Sequence, residues 1–357
     1  MPRSASRPLL PALLALALLL PAWPGWAQPA GGQAAPPMDW FDLAMGCTAG
    51  LALFLLGVAL LADGLRAAAG DRAKRLLGHA TDGPLRGLLT GTAATTLLDS
   101  SSVTIILLIG LVDAGLVGFA QALPVILGSN IGTTVSSQIF ALGIEDFAPI
   151  LLALGLLARA LAPEPWRHWG LALAGLGLVL FGLGTLGEAV KPLQDQPGVT
   201  EWLRSSDAPL RGMLIGAAFT LLIQSSSATL GVVITLASQG LIDLPTGLAM
   251  MLGAEIGTCS DTLLATLGRS RAAVRAALFH LGFNIVSVAA GLLLIDALAG
   301  FAAWSAGDTA QQIANAHVAF NTVGALLCLY ATPALARWMD RLLPDGRAGR
   351  PATAAAE

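Results

Sequence analysis

The sequence predicts an all-α polytopic membrane protein built on two inverted-topology repeats, each with a Ser-rich re-entrant hairpin or broken helix, surrounded by peripheral transmembrane helices. Three observations predict it. Hydrophobic residues make up 55% of the 357 residues and charged residues only 11%, against about 25% charged in a soluble domain, so the chain needs lipid as its solvent. Apolar stretches at 41–61, 148–161, 170–186, 276–298 and 313–335 approach the ~20 residues a helix needs to cross the hydrocarbon core. Between them lie two longer blocks, 85–143 and 210–268, apolar but interrupted by Ser, Thr, Gly and Asn, and each block is a copy of the other.

At the N-terminus, Arg3 and Arg7 precede an apolar run over 9–20 and a small-residue exit at Gly25-Trp26-Ala27. That order predicts a signal peptide over 1–27, cut after Ala27. The alternative, an uncleaved anchor, has a short apolar run interrupted by Pro21 and Pro24 against it. Residues 28–40 then form an extracytoplasmic segment, 41–335 the transmembrane domain and 336–357 a cytoplasmic tail. Cys47, Cys259 and Cys328 fall inside apolar stretches without metal-like spacing, so neither a disulfide framework nor a zinc site is expected. Net charge is −3, with Lys and Arg spread between apolar stretches. Nucleic-acid binding, which needs a basic face, is excluded.

The two blocks superpose by a fixed shift of 125 positions, Gly91 falling on Gly216 and Gly143 on Gly268, with 20 of 53 paired positions identical. Shared residues include Ser100-Ser101-Ser102 with Ser225-Ser226-Ser227, Thr104 with Thr229, and Gly132-Thr133 with Gly257-Thr258. Biased composition aligns Leu, Ala and Gly often; it does not align a Ser triplet, an Ile-Gly-Thr and the interval between them.

Flanking charge orients each copy, because cytoplasmic loops collect Lys and Arg. The loop before the first block carries Arg66, Arg72, Lys74, Arg75 and Arg86, while Glu145 and Asp146 follow the block. After the second block come Arg269, Arg271 and Arg275. The first copy therefore starts inside and ends outside, the second does the reverse, and two spans turning near 163–168 connect them. The final spans return Arg337, Arg341 and the tail to the cytoplasm.

A Ser-Ser-Ser-X-Thr run is poor helix chemistry at membrane depth, because hydroxyls compete for the backbone and every freed carbonyl needs a partner. Two such runs predict two hairpin tips or unwound helices that meet near the midplane. There, helix N-termini face an anion, and hydroxyls and freed carbonyls ligate a hard cation such as sodium. Single Ser and Thr residues often only tie helices together; duplication of the triplet favours the binding reading. A second pair of breaks is expected at Gly128-Ser129-Asn130-Ile131-Gly132-Thr133-Thr134 and Gly253-Ala254-Glu255-Ile256-Gly257-Thr258-Cys259, each brought back onto its own triplet. The competing reading gives these glycines to close helix packing.

With these residues the chain resembles the type II sodium/phosphate cotransporter family, in its bacterial branch. Gln224-Ser225-Ser226-Ser227-Ala228-Thr229 matches that family's Gln-Ser-Ser-Ser signature, and 128–134 matches its Gly-X-Asn-Ile-Gly-Thr element. Phe279-His280-Leu281-Gly282-Phe283-Asn284 and Ala316-His317-Val318-Ala319-Phe320-Asn321 are similar to its His-containing Phe-Asn segments. The resemblance covers about 45–335. It implies sodium-dependent symport of inorganic phosphate, or a similar small anion, across the bacterial inner membrane, with sodium as co-substrate, no other cofactor and no enzymatic activity. Asp99, Ser100, Ser101, Ser102, Thr104, Asn130, Thr133, Thr134, Gln224, Ser225, Ser226, Ser227, Thr229, Glu255 and Thr258 are the expected substrate and ion site; homo-oligomerisation is left open.

Two positions depart from that pattern: Asp99 where Gln is expected, and Glu255 where Asn is expected. Intramembrane acids are functional by default. With Ser and Thr hydroxyls they are expected to ligate sodium or exchange protons, the bland alternative being burial as neutral acids. His280 and His317 are expected either to shuttle protons or to bond Asn284 and Asn321 one turn later. Asp113 and Asp261 read as boundary residues. The competing functions are a transporter of the same architecture for another anion or driven by protons, an intramembrane serine hydrolase using a triplet Ser with His280 or His317 as base, and a sensor. The hydrolase lacks a Gly-X-Ser-X-Gly elbow, and the loops are too short for a sensor's output domain.

Overall fold

The computed structural model describes residues 39–79, 83–195 and 209–344, all helical or connecting segments without a strand. The predicted signal peptide, nearly all of the 28–40 segment and the tail beyond 344 lie outside the described residues.

Helix α1, Trp40–His79, is 40 residues long, about 60 Å at 1.5 Å per residue. It runs well past the apolar stretch at 41–61, so Arg66, Arg72, Lys74 and Arg75 lie on helix and not in a loop as expected. Ala, Leu and Arg favour helix, and Arg66 and Lys74 pair with Asp63 and Asp71 three residues before them. The first copy follows as α2 (Pro84–Leu98), α3 (Ser101–Asp113) and α4 (Phe119–Phe140). A short 3-10 turn leads to α5 (Ala148–Leu161), which leaves α4 at 81°. Helix α6, Trp166–Val190, packs against both α5 and α1.

The second copy is α7 (Pro209–Ile223), α8 (Ser226–Ser238), α9 (Leu244–Gly257) and α10 (Cys259–Leu264). The chain closes with α11 (Arg271–Leu293), α12 (Ile295–Ser305), α13 (Thr309–Leu329) and α14 (Thr332–Leu342). Two expected spans are therefore divided: 276–298 at Leu294, and 313–335 near Tyr330, beyond which Pro333 sits in the first turn of α14. Among the described residues four helices are long and apolar enough to cross a membrane, five if the bent α4–α5 pair is one span. The protein is an all-α polytopic membrane protein.

The Ser triplets break the helices as expected. Asp99 (φ 50°) and Gln224 (φ 59°) are the positive-φ non-glycine residues among those described, a left-handed conformation that costs an L-residue about 1–2 kcal/mol. The next residue, Ser100 or Ser225, is extended, and its Oγ accepts the backbone N–H of Val103 or Ala228 at 3.2 Å. A serine N-cap of this kind contributes about 1 kcal/mol. Turns at Gly115 (φ 70°) and Gly240 (φ 64°) then send each chain back.

The second pair of expected breaks is corrected. Helix α4 runs unbroken through 128–134, and the matching element 253–259 is interrupted only at Thr258, whose backbone stays right-handed helical. Packing is the reason. A Cβ on Gly128 would lie 1.9 Å from the Leu88 carbonyl oxygen, and one on Gly253 1.9 Å from that of Met213. The glycines let α4 lie on α2, and α9 on α7, at backbone contact. Leu88 and Met213 are themselves 125 positions apart, so the shift found in the sequence is also a shift in contacts.

Candidate functional site

Each break exposes the start of a helix. The cap oxygens take the amides of Val103 and Ala228, which leaves the preceding amides of Ser101, Ser102, Ser226 and Ser227 without intrahelical acceptors. Such amides, at the positive end of the helix dipole, suit an anion.

At the first break, Ser136 Oγ of α4 donates to Asp99 Oδ1. Ser102, half-buried, lies with its Oγ 3.4 Å from Thr258 Oγ1 of the other copy, and the Asp261 carboxylate, which accepts from Ser260 Oγ at 3.4 Å, lies near it. The first triplet thus meets the second copy's Gly-Thr element, across the repeats. Asp261, read as a boundary residue, belongs to this cluster.

Other expected site residues spend their hydroxyls on their own helices. Thr104 Oγ1 donates to Ser100 O at 3.0 Å, Thr133 Oγ1 to Ser129 O at 3.1 Å and Thr134 Oγ1 to Ile131 O at 2.8 Å. Thr229 Oγ1 bonds Ser225 O at 3.1 Å and Thr220 Oγ1 at 2.7 Å. These residues hold the breaks in shape. Ser226 and Ser227 are buried at the second break, and Gln224 is exposed there.

Two His–Asn pairs bridge the copies, and the two bridges mirror each other. On α11, His280 Nδ1 lies 3.1 Å from Thr262 Oγ1 of the second copy, while Asn284 Oδ1 accepts from Asn130 Nδ2 of the first at 2.7 Å. On α13, His317 Nδ1 lies 2.9 Å from Ser137 Oγ of the first copy, while Asn321 Nδ2 donates to Glu255 Oε1 of the second at 2.9 Å. His280 and His317 are at most 1% exposed, and Glu255 is 5% exposed. His280 also meets Asn284 Nδ2 through Nε2 at 3.2 Å, as expected, whereas Asn321 reaches the backbone carbonyl of His317 at 3.2 Å. The bridges differ again at the acid: His317 Nε2 is 2.8 Å from Glu255 Oε1.

Sequence reasoning missed Ser136, Ser137 and Thr262. The 125-position shift pairs Ser136 with Asp261 and Ser137 with Thr262; polar residues at matching places in both copies were the available signal.

No solved structure matches the chain significantly. It is 32% identical over 298 residues to the "Uncharacterized protein YqeW" of Bacillus subtilis, covering 83% of this chain and 97% of that one. To the "Putative inorganic phosphate export protein YjbB" of Escherichia coli it is 28% identical over 298 residues, again 83% of this chain but 55% of that protein, so it spans about half that relative's length. A 59-residue segment, 16% of this chain and 9% of the relative, is 42% identical to the "Sodium-dependent phosphate transport protein 2A" of Rattus norvegicus. The model of the Na+/Pi-cotransporter family matches twice in succession, over 53–188 and 193–329. The chain therefore belongs to the Na+/Pi-cotransporter family and is a transporter, not an enzyme.

Proposed function

We propose that this protein moves inorganic phosphate across the bacterial inner membrane, coupled to sodium, at the site made by its two helix breaks in two copies of opposite topology. The observation that carries this reading is the pair of matching breaks, Asp99-Ser100 and Gln224-Ser225. Each offers helix-start amides to an anion. Asp99 and the hydroxyls of the first triplet form the sodium shell, oxygen ligands suited to a hard cation. Glu255, already engaged by His317 and Asn321, stands outside that shell. With phosphate held by dipoles and hydroxyls, bound sodium supplies the countercharge. The name of the Escherichia coli relative supports outward movement, and that of the rat relative supports sodium dependence.

The test is radiolabelled phosphate flux in proteoliposomes under a sodium gradient of either direction, a proton gradient, or none. Sodium-dependent flux lost in Ser226→Ala and Gln224→Ala is the expected result. Phosphate flux indifferent to sodium and to Asp99→Asn overturns the sodium assignment, and no phosphate flux under any gradient overturns the substrate.

A further inference from the structure

Hydrogen counting at the His317 bridge leads past sodium coupling. Ser137 Oγ donates its one hydrogen to Thr134 O at 2.7 Å. That hydroxyl also lies 2.9 Å from His317 Nδ1 and can donate its hydrogen there instead, so the contact holds with Nδ1 either protonated or bare. The other ring nitrogen, Nε2, meets Glu255 Oε1 at 2.8 Å. Two bare lone pairs do not approach that closely, so a hydrogen lies between them. With Nδ1 protonated as well, the pair holds one extra proton and has zero net charge, as an imidazolium with a carboxylate or an imidazole with a carboxylic acid; with the Ser137 hydrogen donated to a bare Nδ1 it is an imidazole with a carboxylate, at −1, and the same contacts fit both.

The His280 bridge differs at Nε2. Thr262 Oγ1 likewise reaches two acceptors, Cys259 O at 2.9 Å and His280 Nδ1 at 3.1 Å. Here Nε2 faces the Asn284 amide nitrogen at 3.2 Å, a donor. Among the described residues no carboxylate hydrogen-bonds that ring, so it has no acid with which to share a proton.

We propose that Glu255 and His317 form a proton-binding site that is loaded and emptied as the anion binds and leaves. On emptying, one proton departs to water. The Ser137 hydroxyl turns from Thr134 O to Nδ1, the ring keeps its remaining hydrogen on Nε2 facing the carboxylate, and the site becomes −1. The bridge lies one residue from the anion site: Ser137 touches His317, and Ser136 touches Asp99 at the first break. On α9, Thr258, three residues beyond Glu255, meets Ser102. A −1 charge there opposes an incoming anion and a neutral pair does not, so anion and proton bind together. The other titratable groups around the pair are Cys259 and His280, reached through Asn284, and Asp99 beyond Ser136; Asp308 caps the exposed start of α13.

This coupling rests on phosphate as the anion, so the experiment has two arms. In the first, inorganic phosphate is added to purified, weakly buffered protein, and protons taken up are counted with a pH dye. Phosphate's own ionisation is common to all proteins compared, so differences isolate the site. Wild type and His280→Gln are expected to take up one proton per phosphate more than Glu255→Gln or His317→Gln, and wild-type apparent Kd to change by about tenfold more per pH unit. Equal counts in all four proteins overturn the coupling. The second arm needs no phosphate: infrared difference spectra over a pH titration are expected to show a carboxyl or imidazole signal lost in both Glu255→Gln and His317→Gln but kept in His280→Gln. Absence of that signal from wild type overturns the proton site itself. Failure of phosphate to bind, with the infrared signal present, falls on the substrate. Should a Gln variant fail to fold, Ser137→Ala, which removes the rotating hydroxyl, is expected to shift the pH at which the signal appears; an unmoved titration contradicts the switch.

Discussion

The two His–Asn bridges join the same two copies with the same residue types, yet one ends on an amide and the other on an acid. Asn130 meets Asn284, and Glu255 meets Asn321 and His317. The neutral bridge needs only matched donors and acceptors. The acidic bridge also needs a countercharge, since a lone carboxylate in a buried site is costly. Duplication supplies the frame for both; a single substitution makes one of them responsive to protons.

Removing each imidazole should break that comparison most sharply. His317→Ala leaves the buried Glu255 carboxyl without its imidazole partner and is expected to cost about 3–5 kcal/mol, against roughly 1–3 kcal/mol for His280→Ala, which removes hydrogen bonds alone. Thermal unfolding in one detergent measures both, and equal losses would deny charge a part in the acidic bridge. The comparison can also be erased. With Glu255→Asn the acidic bridge becomes a copy of the neutral one, and His317→Ala made in that background should cost roughly 2–3 kcal/mol less than in wild type, read as the coupling term of a double-mutant cycle.

Two further pairs test the shared frame. Gly128→Ala and Gly253→Ala place a Cβ at the same 1.9 Å from a carbonyl oxygen; each is expected to destabilise by about 1–3 kcal/mol, with the two values matching in unfolding midpoints. A clear mismatch would mean that one copy yields where the other does not. Smallest are the caps: Ser100→Ala and Ser225→Ala should each cost about 1 kcal/mol. A much larger loss at Ser100 would show that the neighbouring Asp99–Ser136 contact depends on the cap.

Much of the fold was legible in sequence because local chemistry dictates it. Length and apolarity select spans, a Ser triplet ends one helix and caps the next, and a fixed shift exposes duplication whatever the fold. What failed was also local in appearance. Gly-Ser-Asn-Ile-Gly-Thr reads as a break when the helix behind it is unknown, and becomes a packing surface once Leu88 lies against Gly128. The apolar runs at 276–298 and 313–335 concealed bends because hydropathy does not report direction. Asp261 looked peripheral because its neighbour Ser102 comes from the other copy.

Composition, spacing and the preferences of neighbouring residues were enough for the membrane class, the duplication and the two serine-capped breaks, and the family resemblance marked two acids where amides were expected. What those acids face was settled by packing alone. His317 is 62 residues from Glu255 and 180 from Ser137, and no local rule connects them. Their meeting depends on how α4, α9 and α13 pack, and with it the difference between a carboxylate open to sodium and one that shares a proton with an imidazole.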